Sequence, residues 1–208
     1  MILFLSFGSC KDVAIDKTKQ VQIKADSTEL EIEPPQQEAE NLKLTSFLEN
    51  PIDLQEFKKR KGRDEKSYVT TGVDRGTDYY FNPKFSDSVF YGYHFITEDV
   101  GQDRFTEIIV FKYGEGKHSY EDGAEILIEL RVFSEDEDLG RANLVGLTKN
   151  ELELAFGTDY MTFDDKIVYS GENKILIVVL GDSKVKSFRY VKLNTENVDR
   201  DFIRRMLK

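Results

Sequence analysis

The sequence predicts an α+β fold, an antiparallel sheet with capped helices packed on one face, and three observations carry that prediction. Phe105 to Tyr113 and Glu125 to Phe133 alternate apolar and polar side chains with a period of two, the pattern of half-buried antiparallel strands. Ile175-Leu176-Ile177-Val178-Val179-Leu180 is apolar on both faces and should lie centrally in the sheet. Thr148-Lys149-Asn150-Glu151 has the residues of a capping box, in which a hydroxyl and a carboxylate reciprocally satisfy two free amides at a helix start. With 208 residues, 39% hydrophobic and 12% aromatic, the chain is long enough to bury a core without covalent staples. Its single cysteine, Cys10, excludes an intrachain disulfide and any multi-cysteine metal site. The formal net charge of −10 argues against nucleic acid as the main partner. No run after the head approaches the roughly 18 apolar residues of a membrane-spanning helix.

The head, Met1 to Ser9, is an apolar stretch that closes on the small residues Gly8 and Ser9 directly before Cys10. It resembles the end of a bacterial lipoprotein signal, in which small side chains precede a cysteine whose thiol takes a diacylglycerol. That resemblance implies a signal segment over 1–9, lipid attachment at Cys10 and a membrane-anchored chain. The alternative is a buried amino-terminal strand with an incidental cysteine. Cys10-Lys11-Asp12 is also similar to the start of the Lys-acid signal that sends Bacteroidota lipoproteins to the cell surface. Residues 10–44 are expected to be a flexible tether. From Lys11 to Leu44 there is no Gly and no aromatic residue, while 5 basic and 8 acidic side chains are present. Such a composition buries too little apolar surface to offset ordering entropy. Val21-Gln22-Ile23 and Leu30-Glu31-Ile32 alternate and leave edge strands open as the other reading.

A globular region is expected over 45–208. Asn50-Pro51-Ile52-Asp53 predicts a helix capped by Asn50, with Pro at its first position and Gly62 at its end. The cations Lys58 to Lys61 suit a solvated carboxyl end, with lipid phosphate as the alternative contact. Strands are predicted at Tyr79 to Phe81, Val89 to Thr97, Phe105 to Tyr113 and Glu125 to Phe133, joined by glycine-containing hairpins. The capped helix from Thr148 ends at Gly157. Three strands follow, at Lys166 to Tyr169, Lys174 to Leu180 and Lys184 to Leu193. A last amphipathic helix begins near Glu196, with acids early and Arg204, Arg205 and Lys208 late, in the sense the helix dipole favours.

Val145-Gly146-Leu147-Thr148-Lys149-Asn150-Glu151-Leu152, then Phe156-Gly157-Thr158, then three strands, resembles the SmpA/OmlA/BamE small outer-membrane lipoproteins and the wider β-lactamase-inhibitor-like fold. The match runs from Ala142 to Leu193. It implies a capped helix packed on an antiparallel sheet, in a protein that binds other proteins. The order helix then strands also occurs earlier in the chain, which allows two degenerate units, 45–134 and 142–208.

Chemistry is sparse. His94 and His118 stand in no nucleophile or metal spacing, and His94 sits mid-strand among aromatics, where a structural role is the simpler reading. There is no Gly-x-Ser-x-Gly elbow, phosphate loop or His-Glu-x-x-His. Glu135 to Asp138 reads as a solvated acidic joint. The sequence therefore leads to no catalytic residue, no metal ligand and no cofactor. It does concentrate eight aromatics between Tyr79 and Phe95. Alternation puts Val89, Tyr91, Tyr93 and Phe95 on one face of their strand, so Tyr91 and Tyr93 are the candidate partner-binding residues. The expected function is an envelope-anchored, non-catalytic interaction module, either an assembly subunit or an inhibitor- or immunity-type binder. It would sit at the outer membrane or cell surface, or on a periplasmic face, held by its lipid and bound to an envelope protein. The alternative is a secreted hydrolase that uses carboxylates.

Overall fold

Two chain segments, each a meander of four antiparallel strands, share one sheet. In chain order the strands are β1 (Ser67–Thr71), β2 (Ser88–Ile96), β3 (Phe105–Tyr113), β4 (Ile126–Val132), β5 (Met161–Phe163), β6 (Lys166–Gly171), β7 (Lys174–Gly181) and β8 (Lys184–Lys192). Across the sheet they run β1-β2-β3-β4-β8-β7-β6-β5, so the meanders join where β4 lies antiparallel to β8. The computed structural model describes residues 43–62, 67–71, 78–85, 87–96, 105–120 and 124–208, all within one compact unit. The expected signal segment 1–9, Cys10 and the tether up to residue 42 lie outside the described residues.

Period-two patterning explains how the strands bury their faces. β7 lies between β8 and β6, and its Leu176 and Val178 enter one apolar layer while Ile175 and Ile177 enter the other. β1 and β5, the two outermost strands, carry no comparable pattern in the sequence; an edge strand needs only one partner and is short. The strand expected at Tyr79 to Phe81 is reduced to one bridge, Tyr80 to Leu193.

Among the described residues the helices are α1 (43–49), α2 (Leu54–Lys61), α3 (Lys149–Phe156) and α4 (Arg200–Met206). α1 begins before the expected domain limit at residue 45 and buries Leu44, Phe47 and Leu48, one stripe at helical spacing. The cap of α2 is Asp53, not Asn50: the Asp53 carboxylate accepts from the Glu56 amide at 3.0 Å. Asn50 instead follows α1 directly, and Ile52 in the link between the helices is buried. α3 carries the full capping box, with the Thr148 amide donating to the Glu151 carboxylate at 2.8 Å and the Glu151 amide donating to the Thr148 hydroxyl at 3.2 Å. α4 starts later than expected because Asp199 caps it, accepting from the Phe202 amide at 2.7 Å.

The helices do not all lie on one face. α1, α2 and α3 cover the first face with the 3₁₀ segment Glu137–Ala142, whose Leu139 and Ala142 are buried. α4 covers part of the second face through Ile203, which joins the apolar cluster that contains Tyr80. The physical reason lies in the strands themselves: β3, β4, β7 and β8 are apolar on both sides, so one layer of helices leaves half of that surface in need of cover.

Candidate functional site

β2 is where the expected site residues fall. Tyr93 is 3% exposed and packs under α2, with the Lys58 ammonium 4.7 Å above its ring and Phe57 edge-on to Phe95 at 5.1 Å. It faces the core because α2 covers that side of β2. Tyr91 is half-buried, its hydroxyl 2.6 Å from His118 Nδ1. The structure thus keeps Tyr91 at the surface and removes Tyr93 from it. Of the eight clustered aromatics only Phe85 is exposed, at 48%, stacked on Tyr113 with ring centroids 4.4 Å apart.

A buried polar cluster lies beneath α2. Lys58, expected at a solvated helix end, is 2% exposed and binds the Glu125 carboxylate at 2.6 Å, which also accepts from the Gln55 amide at 2.6 Å. The Lys112 ammonium lies 3.8 Å from the other Glu125 oxygen and donates to the Ser119 carbonyl. Lys58 donates further to the Tyr120 carbonyl. Burial, reinforced by Glu125, pushes the Tyr93 phenol well above its usual range. Tyr120, Gln55 and Lys58 also border a cavity of about 560 Å³ along α2. Farther along the helix, Lys61 binds Asp136 at 2.8 Å and Asp138 at 2.7 Å. Asp136 is buried and caps the 3₁₀ segment, so the acidic joint docks on α2 through Asp136 and Asp138 while Glu135 and Glu137 stand in solvent as expected.

The second face carries a charged row across four strands. His94 stands opposite Glu107, Glu107 opposite Arg131, and Arg131 opposite Arg189. Two arginines in direct opposition repel. Glu129, fully buried, resolves this by binding Arg189 through two parallel bonds of 2.9 and 2.8 Å and also accepting from Arg131. Arg131 reaches Glu107 at 3.1 Å, the Tyr80 hydroxyl donates to Glu129, and Arg189 donates to the Tyr79 hydroxyl at 2.7 Å. Burial alone would lower the pKa of Arg189, but its bonds to Glu129 outweigh that and raise it. His94 is held below its ordinary value by burial, against the pull of Glu107.

Beyond this row, toward the close of β2 and β4, no described helix covers the sheet. Ile96 closes β2 and Phe133 follows β4, 51% and 40% exposed; alternation puts Ile96 on the second face, and Phe133 comes two residues after the half-exposed Arg131 of that face. Sequence reasoning missed this patch. Ile96 reads as a packing residue of β2, and Phe133 as the end of an apolar strand; the usable signal was the set of charged residues Glu107, Glu129, Arg131 and Arg189 within otherwise apolar strands. Among the described residues no group of three or more His, Cys, Asp or Glu side chains is placed to hold a metal ion, and no helix is long and apolar enough to cross a membrane. Compared with known proteins, the chain matches no family model, no curated protein and no solved structure.

Proposed function

We propose that the chain is an envelope-anchored interaction module that binds another protein through the uncovered end of the second sheet face. The observation that carries this reading is the exposure of Ile96 and Phe133, at the close of two strands of a sheet that also presents the half-exposed Arg131. Apolar anchors beside an arginine are the side chains that dominate protein interfaces, because they bring apolar area and directional hydrogen bonds together. A rigid sheet behind them limits the ordering cost of binding. The anchoring half of the proposal rests on Gly8, Ser9 and Cys10 after the apolar head.

One experiment tests both halves. The tagged full chain is expressed in an envelope-forming bacterium, fractionated, and used to capture partners from detergent-solubilised envelope. Cys10→Ser should move it from the membrane to the soluble fraction or leave the precursor unprocessed; unchanged partition with an intact amino terminus overturns the anchor. Ile96→Ala with Phe133→Ala should weaken capture by about thirtyfold, the effect of losing roughly 2 kcal/mol from an interface centre. Undiminished capture by a folded double variant overturns the interface.

A further inference from the structure

The outermost strand β5 has an edge that a second copy of this chain could extend, and the structure shows what occupies it. The two-residue turn Asp164–Asp165 makes Phe163 and Lys166 the closing pair of the β5–β6 hairpin. In such a hairpin the next pair inward, Thr162 with Ile167, exchanges no backbone hydrogen bonds, so the Thr162 N–H and C=O point away from the sheet. The Arg200 guanidinium takes that carbonyl, donating to Thr162 O at 2.7 Å, and stacks over the Phe163 ring with 4.6 Å to its centroid. Arg200 is the first residue of α4, which Ile203 fastens to the second face.

We infer that Arg200 holds the β5 edge closed against pairing with β5 of a second copy. The edge is self-complementary. A two-fold axis at Thr162 would set Thr162 against Thr162, with each N–H facing the other copy's carbonyl, and Tyr160 against Asp164. Arg200 removes both of those acceptors at once. The same axis would bring the exposed Asp159 of one copy toward the turn of the other, which carries the exposed Asp164 and Asp165, a like-charge approach that adds to the barrier and fades with salt. A covered edge and charged side chains beside it are among the devices by which sheet edges avoid association.

Sedimentation velocity tests this on the full-length chain carrying Cys10→Ser, so that no lipid contributes to association, over a wide concentration range at low and raised salt. The parent chain should be monomeric. Arg200→Ala should tighten self-association by about tenfold or more, since two backbone hydrogen bonds become available by symmetry, and raised salt should tighten it further. Adding Thr162→Pro to Arg200→Ala, which deletes the outward N–H on an edge that tolerates proline, should return the chain to the monomer. The inference is overturned if Arg200→Ala associates no more than the parent. It is equally overturned if the association survives Thr162→Pro, which would locate it on the face that α4 covers, or if the parent is already a dimer that Thr162→Pro dissolves.

Discussion

Tyr93 shows how one neighbour decides the role of a residue. A tyrosine on the face of a β-strand offers apolar area and a hydroxyl, which suits either a partner or a core. Lys58 and Phe57 of α2 make it core: the ammonium sits over the ring and Phe95 beside it meets Phe57 edge-on. Tyr93→Ala should therefore cost about 3 kcal/mol of stability, the usual range for deleting a buried aromatic side chain. Thermal unfolding followed by circular dichroism should show a midpoint lowered by roughly 10 °C. Tyr91→Ala, at a half-buried position, should lower it by clearly less. Equal and negligible shifts for both would place Tyr93 at the surface.

Hairpins are the element at which local strain is stored. The turns of the second meander put Asp164, Glu172, Asp182 and Ser183 at φ of 49, 50, 52 and 62°, in the left-handed region that most L-residues avoid and that glycine, Asn and Asp tolerate. Two-residue hairpins need such angles because their twist must match that of the strands they join. Ser183 is the position most open to improvement: its carbonyl accepts from the Lys149 amide, a bond that a side-chain change leaves intact. Ser183→Gly makes an Asp-Gly turn and should stabilise the chain by about 0.5–1 kcal/mol. Urea denaturation should show a higher midpoint with an unchanged slope; a lower midpoint would mean that the serine side chain contributes more than its backbone strain costs.

At the scale of the whole molecule, the join between the meanders depends on Glu129. Leu130 faces Tyr190 and Arg131 faces Arg189 across β4 and β8, and the one carboxylate between the arginines lies fully buried. Glu129→Gln leaves both cations in place and removes the anion that reconciles them. Breaking such a buried pair from one side should cost about 3 kcal/mol. Because β4 and β8 belong to different meanders but to one sheet, probes in both halves should lose protection together. Hydrogen exchange of Ile108 in β3 and Val168 in β6 should accelerate in parallel; acceleration confined to one half would mean that the meanders unfold independently.

Local chemistry made much of the architecture legible in the residues alone. Capping at Thr148 and Glu151, the alternation of β3 and β4, and the uniformly apolar run of β7 specify elements through neighbours a few positions away, and such signals survive in any context. The cap of α2 was misread because Asn50 and Asp53 are both good caps, and only the packing of α1 and Ile52 chooses between them. The two outermost strands were missed for a related reason: short elements carry too few periods to stand out. What tertiary structure alone decided is the fate of the polar residues. Whether Lys58 ends in water or over Tyr93, whether Glu129 faces solvent or two arginines, and whether Arg200 is a surface cation or the cover of an edge all depend on residues dozens of positions away. Hydrophobic periodicity records which side of an element is buried, because burial acts on every apolar side chain alike. The partner of a charge depends instead on where one atom sits, and that position exists only once the sheet has formed.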